Sequence, residues 1–359
     1  MERLKVAVIF GGASSEYEVS LLSAASVLRN MSADRFETVR IGITKQGRWY
    51  KYDGPVEKIE DGSWVRDIDL LTPCVISPDR GVRGLVTFFN GSYKNEPVDV
   101  AFPVLHGKNG EDGTIQGLFT LAGIPFVGCD VLSSAACMDK AVTSTLLDHA
   151  GIPHTAWAAV RPADLADFGA LEKELSQKLG YPIFVKPANA GSSVGVTKAH
   201  DAAELRRALE LAFRYDVKAV AERTVAGKEL EVAVLGNDMP EASVVGEIVP
   251  CNEFYDYDAK YLANKSETLI PARITEAQAR TIRETAVEAY RALGCAGLAR
   301  VDFLMDGATG DIYLNELNTI PGFTSISMYP KLMEASGTAY ARLIERLVAL
   351  AAARAKENA

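Results

Sequence analysis

Between Arg300 and Asn318 the chain reads Arg300-Val-Asp302, a turn Asp306-Gly-Ala-Thr-Gly-Asp311, and then Glu316-Leu-Asn318. Successive strand residues point to opposite faces, so Arg300 shares a face with Asp302, and Glu316 with Asn318. The Gly-rich turn folds the two runs into a hairpin. With matching register, one guanidinium, two carboxylates and one amide oxygen converge on a single patch. Hard oxygen donors of that kind suit Mg²⁺, which takes a few protein oxygens and leaves its other positions to water and phosphate. The chemistry indicated is phosphoryl transfer. A solvated acidic hairpin is the competing reading. It is weakened by the apolar flanks (Val301, Phe303, Leu304, Ile312, Leu314, Leu317) and by the turn-rich 319–327 segment, whose backbone N–H groups suit an anion.

Further phosphate-handling elements lie upstream. Gly191-Ser192-Ser193-Val194-Gly195 follows an apolar strand that ends at Lys186. Small residues let backbone amides approach phosphate oxygens, and two hydroxyls add donors. No G-x-x-x-x-G-K-[ST] pattern occurs and the residues after the loop are strand-like, so it reads as a β-hairpin flap, with an ordinary turn as the alternative. Lys186 is either an edge residue or a phosphate ligand, and the adjacent loop favours the ligand. Lys140 opens a helix, where a cation opposes the dipole unless an anion is present; a solvated lysine stays open there. Ser15-x-x-Glu18 has the form of a capping box, so capping and ligand contact both stay open for Glu18. His106 ends a strand in a Gly-rich loop, which is a ligand-facing location.

The elements that must position these residues alternate strand and helix. A buried parallel strand at 5–10 precedes an apolar-periodic helix (Val19, Leu22, Ala25, Leu28). Strands at 38–43, 98–104 and 124–128 and a helix near 114–122 complete an open parallel α/β unit over about residues 1–135. A second unit holds a helix at 140–150, the strand before Lys186, a helix at 202–212 and a strand at 219–222. The remainder starts with the half-buried strand 229–235, contains the hairpin, and ends in a helix at 338–355. The polar, aromatic stretch from Asn252 to Thr268 keeps neither period and reads as an active-site lid.

The chain has 359 residues, enough for two or three domains, with 48% hydrophobic and 24% charged residues. A net charge of −9 without a basic run argues against nucleic acid or an anionic membrane as main partner. No apolar run reaches membrane-spanning length, and the N-terminus lacks the features of a signal peptide. Five scattered cysteines without a Cys-x-x-Cys suggest a reduced cytoplasmic protein and no zinc site.

In order along the chain stand Phe10-Gly-Gly, Glu16-Tyr-Glu18-Val-Ser, Leu105-His-Gly-Lys-Asn-Gly-Glu-Asp-Gly, Met138-Asp-Lys140 and Val185-Lys-Pro with Gly-Ser-Ser-Val-Gly. They continue with Phe254-Tyr-Asp-Tyr-Asp-Ala-Lys-Tyr261, Arg300-Val-Asp302 and Glu316-Leu-Asn-Thr-Ile-Pro-Gly-Phe-Thr-Ser. From Val6 to about Pro330 this series resembles the D-alanine:D-alanine ligases of the ATP-grasp superfamily. The resemblance implies an N-terminal Rossmann-like substrate-binding domain (1–137) and a two-lobed ATP-grasp fold. The lobes would be a central subdomain (138–226) and an α+β C-terminal subdomain (227–359) with lid loop 252–270.

The resemblance also implies an ADP-forming ligase of peptidoglycan precursor synthesis. ATP would phosphorylate a first D-alanine, and the amine of a second would attack the acyl phosphate. Lys140 and Lys186 would hold the α- and β-phosphates under the Ser192–Ser193 loop, Glu222 would lie by the adenine and Glu229 by the ribose. Asp302, Glu316 and Asn318 would bind two Mg²⁺, with Mn²⁺ as a substitute, and Lys260 would reach the γ-phosphate; a need for a monovalent cation stays open. Arg300 and the Gly322 N–H would stabilise the oxyanion. Glu18 would pair with the first ammonium near His106, and Ser327 with the Met328 N–H would take the second carboxylate. Ser192 and Tyr261 would link to Glu18 and close the lid.

Ile326 stands where many relatives carry His. Tyr261, where depsipeptide-forming relatives carry His, favours an amine nucleophile over a hydroxy acid. D-serine as second substrate, another ATP-grasp ligase, and a non-catalytic ligand-binding α/β protein are the alternatives, and a homodimer is the assembly the family suggests. If the hairpin is the metal site, Glu316→Gln abolishes turnover while circular dichroism and the thermal midpoint stay near wild type. Near-normal rates in that variant would remove the hairpin from the metal site.

Overall fold

The computed structural model describes residues 3–249 and 267–357. Lys260, Tyr261 and most of the expected lid lie outside the described residues. Three sheets follow one another along the described chain. The first contains β1 (Leu4–Gly11), β2 (Phe36–Ile43), β3 (Trp49–Tyr52), β4 (Leu71–Ile76), β5 (Gly84–Phe89), β6 (Ser92–Pro97) and β7 (Val100–Val104). Their order is β6-β5-β4-β3-β2-β1-β7. β1 runs parallel to both neighbours, and Val6 to Phe10 are fully buried, as a strand covered on both faces requires.

The all-parallel expectation for this sheet is corrected. β3 to β6 form an antiparallel meander: β4, β5 and β6 follow one another through short turns, and the 53–70 connection from β3 to β4 carries the short helix Val56–Glu60 yet returns the chain antiparallel. Asn90 and Gly91, both at positive φ, make the two-residue turn between β5 and β6. That Asn-Gly pair was a readable hairpin signal. The strand expected at 124–128 reduces to a single bridge between Ala101 and Phe126. In the helix Tyr17–Asn30, Val19, Ala25 and Leu28 are buried as their spacing predicts, whereas Leu22 is exposed beside the main cavity.

The second sheet has β8 (Trp157–Val160), β9 (Ile183–Pro187), β10 (Thr197–Ala199) and β11 (Ala219–Arg223), all antiparallel in the order β10-β9-β11-β8. Ile183, Val185, Ala219 and Ala221 face the helices Phe168–Leu179 and Ala202–Ala212 in one core. Strand alternation therefore turns Lys186 and Glu222 to the opposite face.

The third sheet has β12 (Gly227–Gly236), β13 (Glu241–Ala242), β14 (Gly246–Val249), β15 (Glu267–Leu269), β16 (Gly297–Asp306) and β17 (Ile312–Asn318). It is ordered β15-β14-β12-β16-β17, with β13 on β12. Leu230, Val232, Val301 and Phe303 pack on Ile282, Ala286 and Tyr290 of the helix Glu276–Ala292. The polar members of β12 and β16 are thereby left on the other face. Loop 319–327 is pinned by Phe323, whose ring meets Phe102 of the first sheet edge-on at 6.3 Å.

Glu247 on β14 braces the sheet next to the undescribed stretch, accepting from the Arg273 backbone N–H at 2.9 Å, Arg273 Nη2 at 2.9 Å and Lys228 Nζ at 3.1 Å. Burial alone would raise this carboxyl, but Arg273 and Lys228 overcome it and hold it at about 2. A depressed carboxylate stabilises the fold above its unfolded pKa of about 4.3, and that stability is lost as pH falls toward the folded value. The difference in thermal midpoint between wild type and Glu247→Gln is therefore expected to be constant above about pH 5. It should close by about pH 2, and a gap unchanged over that range would contradict this.

Candidate active site

The hairpin forms in the register its spacing required. Arg300 faces Asn318, and Asp302 faces Glu316. On its other side β16 pairs with β12, which puts Glu231 opposite Asp302 and the small Ala233 opposite Arg300. Directly opposed residues share a face, so Glu231, Asp302 and Glu316 make one carboxylate row with Arg300 beside it. Arg300 donates from Nε and Nη2 to the two Asp302 oxygens, both at 2.7 Å, and its Nε lies 3.1 Å from Glu231 Oε2. Burial alone would lower the pKa of the guanidinium. Asp302, Glu231 and Glu316 reverse that and raise its pKa well above the ordinary arginine value.

Asn318 Nδ2 donates to Asp302 Oδ2 at 3.0 Å, leaving the amide oxygen as its ligand-capable atom. A register shift after Asp302 makes Asn315 the extra residue of a β-bulge. Asn315 Oδ1 accepts from Lys186 Nζ at 3.2 Å, so the bulge joins the acidic hairpin to the lysine of β9. Lys186 also lies 2.6 Å from Glu222 Oε2. Burial would lower its pKa, yet Glu222, Glu316 and Glu229 raise it, and the ammonium stays charged.

The flap is a hairpin between β9 and β10, with Ser192 and Ser193 both at positive φ. Lys140 Nζ donates to the Ala190 carbonyl at 2.7 Å and so anchors the flap's base. Ser192 Oγ donates to Glu16 Oε1. Here the structure corrects the sequence reading: the carboxylate that meets the flap is Glu16, not Glu18. Glu18 is exposed and paired with Lys45. The Ser15–Glu18 capping box is also absent, because the helix begins at Tyr17 with Glu16 at its N-cap, and that side chain makes no cap bond.

Gly107 and Gly191 leave room for the Glu16 carboxylate: a Cβ on either would stand 2.3 Å and 2.8 Å from Glu16 Oε2. Nothing in the spacing distinguished Glu16 from Glu18, since the choice depends on where the flap lands. Glu111 was also missed. It accepts from the Gly107 N–H at 2.6 Å and lines the same cavity. Burial first, and then the neighbouring Glu16, push its carboxyl up to about 8.

Both ring nitrogens of His106 are engaged within the protein. Nδ1 lies 3.0 Å from the Ile320 carbonyl, which only accepts, so Nδ1 carries a proton. Burial lowers the histidine's pKa, and in the neutral ring Nε2 accepts from Ser23 Oγ at 3.0 Å. Ser23 Oγ in turn accepts the Phe323 N–H at 3.3 Å. His106 thus acts on the site by fixing loop 319–327. At the end of that loop, Ser327 is the N-cap of the helix Met328–Ala335, an end where backbone N–H groups favour a carboxylate.

Glu16, His106, Lys140, Lys186, Ser192, Ser193, Glu222, Glu229, Arg300, Asp302, Glu316, Asn318, Gly322, Ser327 and Met328 all line one cavity of about 1010 Å³. Two antiparallel sheets facing a common crevice, lysine on one and carboxylates on the other, define the fold as ATP-grasp. Residues 5–129 match the family description "D-ala D-ala ligase N-terminus" and residues 146–349 match "D-ala D-ala ligase C-terminus". A D-alanine–D-alanine ligase of Thermoanaerobacter sp. (strain X514) is 52% identical over 98% of this chain and 97% of its own. The VanG D-Ala:D-Ser ligase from Enterococcus faecalis is 45% identical, with a TM-score of 0.89, over 98% of this chain and 100% of that one. The D-alanine-D-alanine ligase from Coxiella burnetii is 33% identical, with a TM-score of 0.86, over 99% and 97%. The chain belongs to the D-alanine–D-alanine ligase family. ATP is the nucleotide co-substrate of that family.

Glu111 gives this site a pH signature. A carboxyl raised in the folded state stabilises the fold below its unfolded pKa, and that stability is lost as pH rises through the folded value of about 8. Glu111→Gln removes the titrating group but keeps an acceptor for Gly107. From pH 5 to 9 the wild-type thermal midpoint is expected to fall relative to the variant's. Parallel profiles would mean that Glu111 is ionised throughout.

Proposed function

We propose that the chain joins two D-alanine molecules to D-alanyl-D-alanine with ATP, through D-alanyl phosphate, for peptidoglycan precursor synthesis. The observation that carries this reading is the carboxylate row of the β12–β16–β17 face, set against Lys186 across one cavity. Lys140 and Lys186 hold the nucleotide phosphates beneath Ser192 and Ser193, with Glu222 beside the adenine and Glu229 at the ribose. Glu16 takes the place first given to Glu18 and receives the ammonium of the first D-alanine.

An oxygen of the first D-alanine's carboxylate attacks the γ-phosphorus, the bond to ADP breaks, and an acyl phosphate forms. The amine of the second D-alanine then attacks the acyl carbon and loses a proton, and the tetrahedral adduct expels phosphate. Arg300 and the Gly322 N–H stabilise the oxyanion of that adduct. Ser327 and the Met328 N–H hold the second carboxylate. Closure over the site protects the acyl phosphate from water, the part given to the Lys260–Tyr261 stretch.

Mg²⁺, as two ions with Mn²⁺ as a substitute, would be held by Asp302, Glu316 and Asn318 and would neutralise phosphate charge. The donors fit: two carboxylates and an amide oxygen are hard ligands. Among the described residues no cluster of three or more His, Cys, Asp or Glu is arranged to hold a metal. Two carboxylates and an amide oxygen would leave the remaining positions of such an ion to phosphate and water. The reading extends to a cytoplasmic homodimer acting on small molecules. No described helix is long and apolar enough to cross a membrane.

The 45% identity to a D-Ala:D-Ser ligase favours D-serine as a second acceptor reading. Incubation with Mg²⁺-ATP and equimolar D-alanine, D-serine and D-lactate, with products identified by mass, separates the two. D-alanyl-D-alanine is expected to dominate, with phosphate release stimulated by D-alanine and not by L-alanine. A dominant D-alanyl-D-serine would select the second reading, and a dominant depsipeptide would overturn the role given to Tyr261.

A further inference from the structure

Glu231 is given no individual role in the reading above, yet it forms one end of the carboxylate row whose middle member is Asp302. It lies opposite Asp302 on the adjacent strand, its side chain is 8% exposed, and its Oε2 is 3.1 Å from Arg300 Nε. Asp302 has competing duties. It accepts two hydrogen bonds from Arg300 and one from Asn318, and with Glu316 it forms the proposed cation site. A divalent cation on Asp302 draws off carboxylate charge and repels the guanidinium beside it. Ala233, opposite Arg300 on β12, offers nothing polar in its side chain to hold that guanidinium.

We propose that Glu231 is a positioning residue that supplies Arg300 with a counter-ion of its own. Asp302 can then turn to the cation while Arg300 stays aimed at the transferring group. The proposal rests on the ligase reading. A buried guanidinium between two carboxylates keeps its place when one of them is engaged elsewhere. With a single carboxylate, the guanidinium and the cation compete for it.

The test compares Glu231→Gln, isosteric and uncharged, and Glu231→Asp with wild type. Mn²⁺ affinity in the presence of ADP is read by electron paramagnetic resonance, and kcat and the KM for ATP are read at saturating cation. In Glu231→Gln, Mn²⁺ should bind about five- to tenfold more weakly, and kcat should stay at least tenfold down under saturation with the KM for ATP within twofold. Glu231→Asp should recover part of both losses. Full recovery of kcat at saturating Mn²⁺ would make Glu231 a general source of negative charge and overturn the proposal. So would a Glu231→Gln enzyme equal to wild type in both measurements. Absence of D-alanine-dependent ADP release in wild type would instead remove the ligase reading itself.

Discussion

A guanidinium that cannot lose its proton is buried here at the surface of an antiparallel sheet, and much of the site follows from compensating it. Removing such a charge from water is costly unless carboxylates and hydrogen bonds replace the lost solvation. Arg300 obtains both from Asp302 and a second counter-ion from Glu231. The compensation overshoots, because Glu316 adds a third carboxylate to the same row. That surplus negative charge is what the proposed cation would neutralise.

Compensation alone would leave a closed ion cluster; an open crevice requires other elements to stand off from it. Lys186 does so from the second sheet, held to the hairpin through the bulged Asn315. Loop 319–327 does so from the first sheet's side, fixed by the chain from Phe323 through Ser23 and His106 to Ile320. Phe323 is buried in the core shared by the first and third sheets, which makes the loop's position a consequence of packing. Gly322 therefore sits on a braced backbone, as the oxyanion role proposed for its N–H would require of a preorganised donor.

The acidic pair at the flap obeys the same electrostatic logic with the opposite outcome. Glu16 and Glu111 face each other across a glycine, and burial together with the Glu16 charge outweighs the pull of Arg300, so the Glu111 carboxyl is raised to about 8. Glu18, only two residues from Glu16, lies on the exposed side of the helix start and is matched by Lys45.

Local text carried a good deal of this protein. Strand periodicity placed Arg300 with Asp302 and Glu316 with Asn318, because a hairpin's register depends on its own turn and alternation. Lys186, the flap and the helices at 140–150 and 202–212 were legible for the same reason. The meander over β3–β6 was missed even though Asn90-Gly91 announced one of its turns. The choice between Glu16 and Glu18, the carboxylate Glu231 beside Arg300, the proton on Glu111 and the occupied ring of His106 were not legible. Each depends on a partner between 69 and 214 residues away along the chain: Ser192, Arg300, Glu16 and Ile320. Sequence by itself determined which groups could carry charge and which of them share a strand face. Only the tertiary structure decided which charges meet, because burial and proximity, not residue type, set their energies.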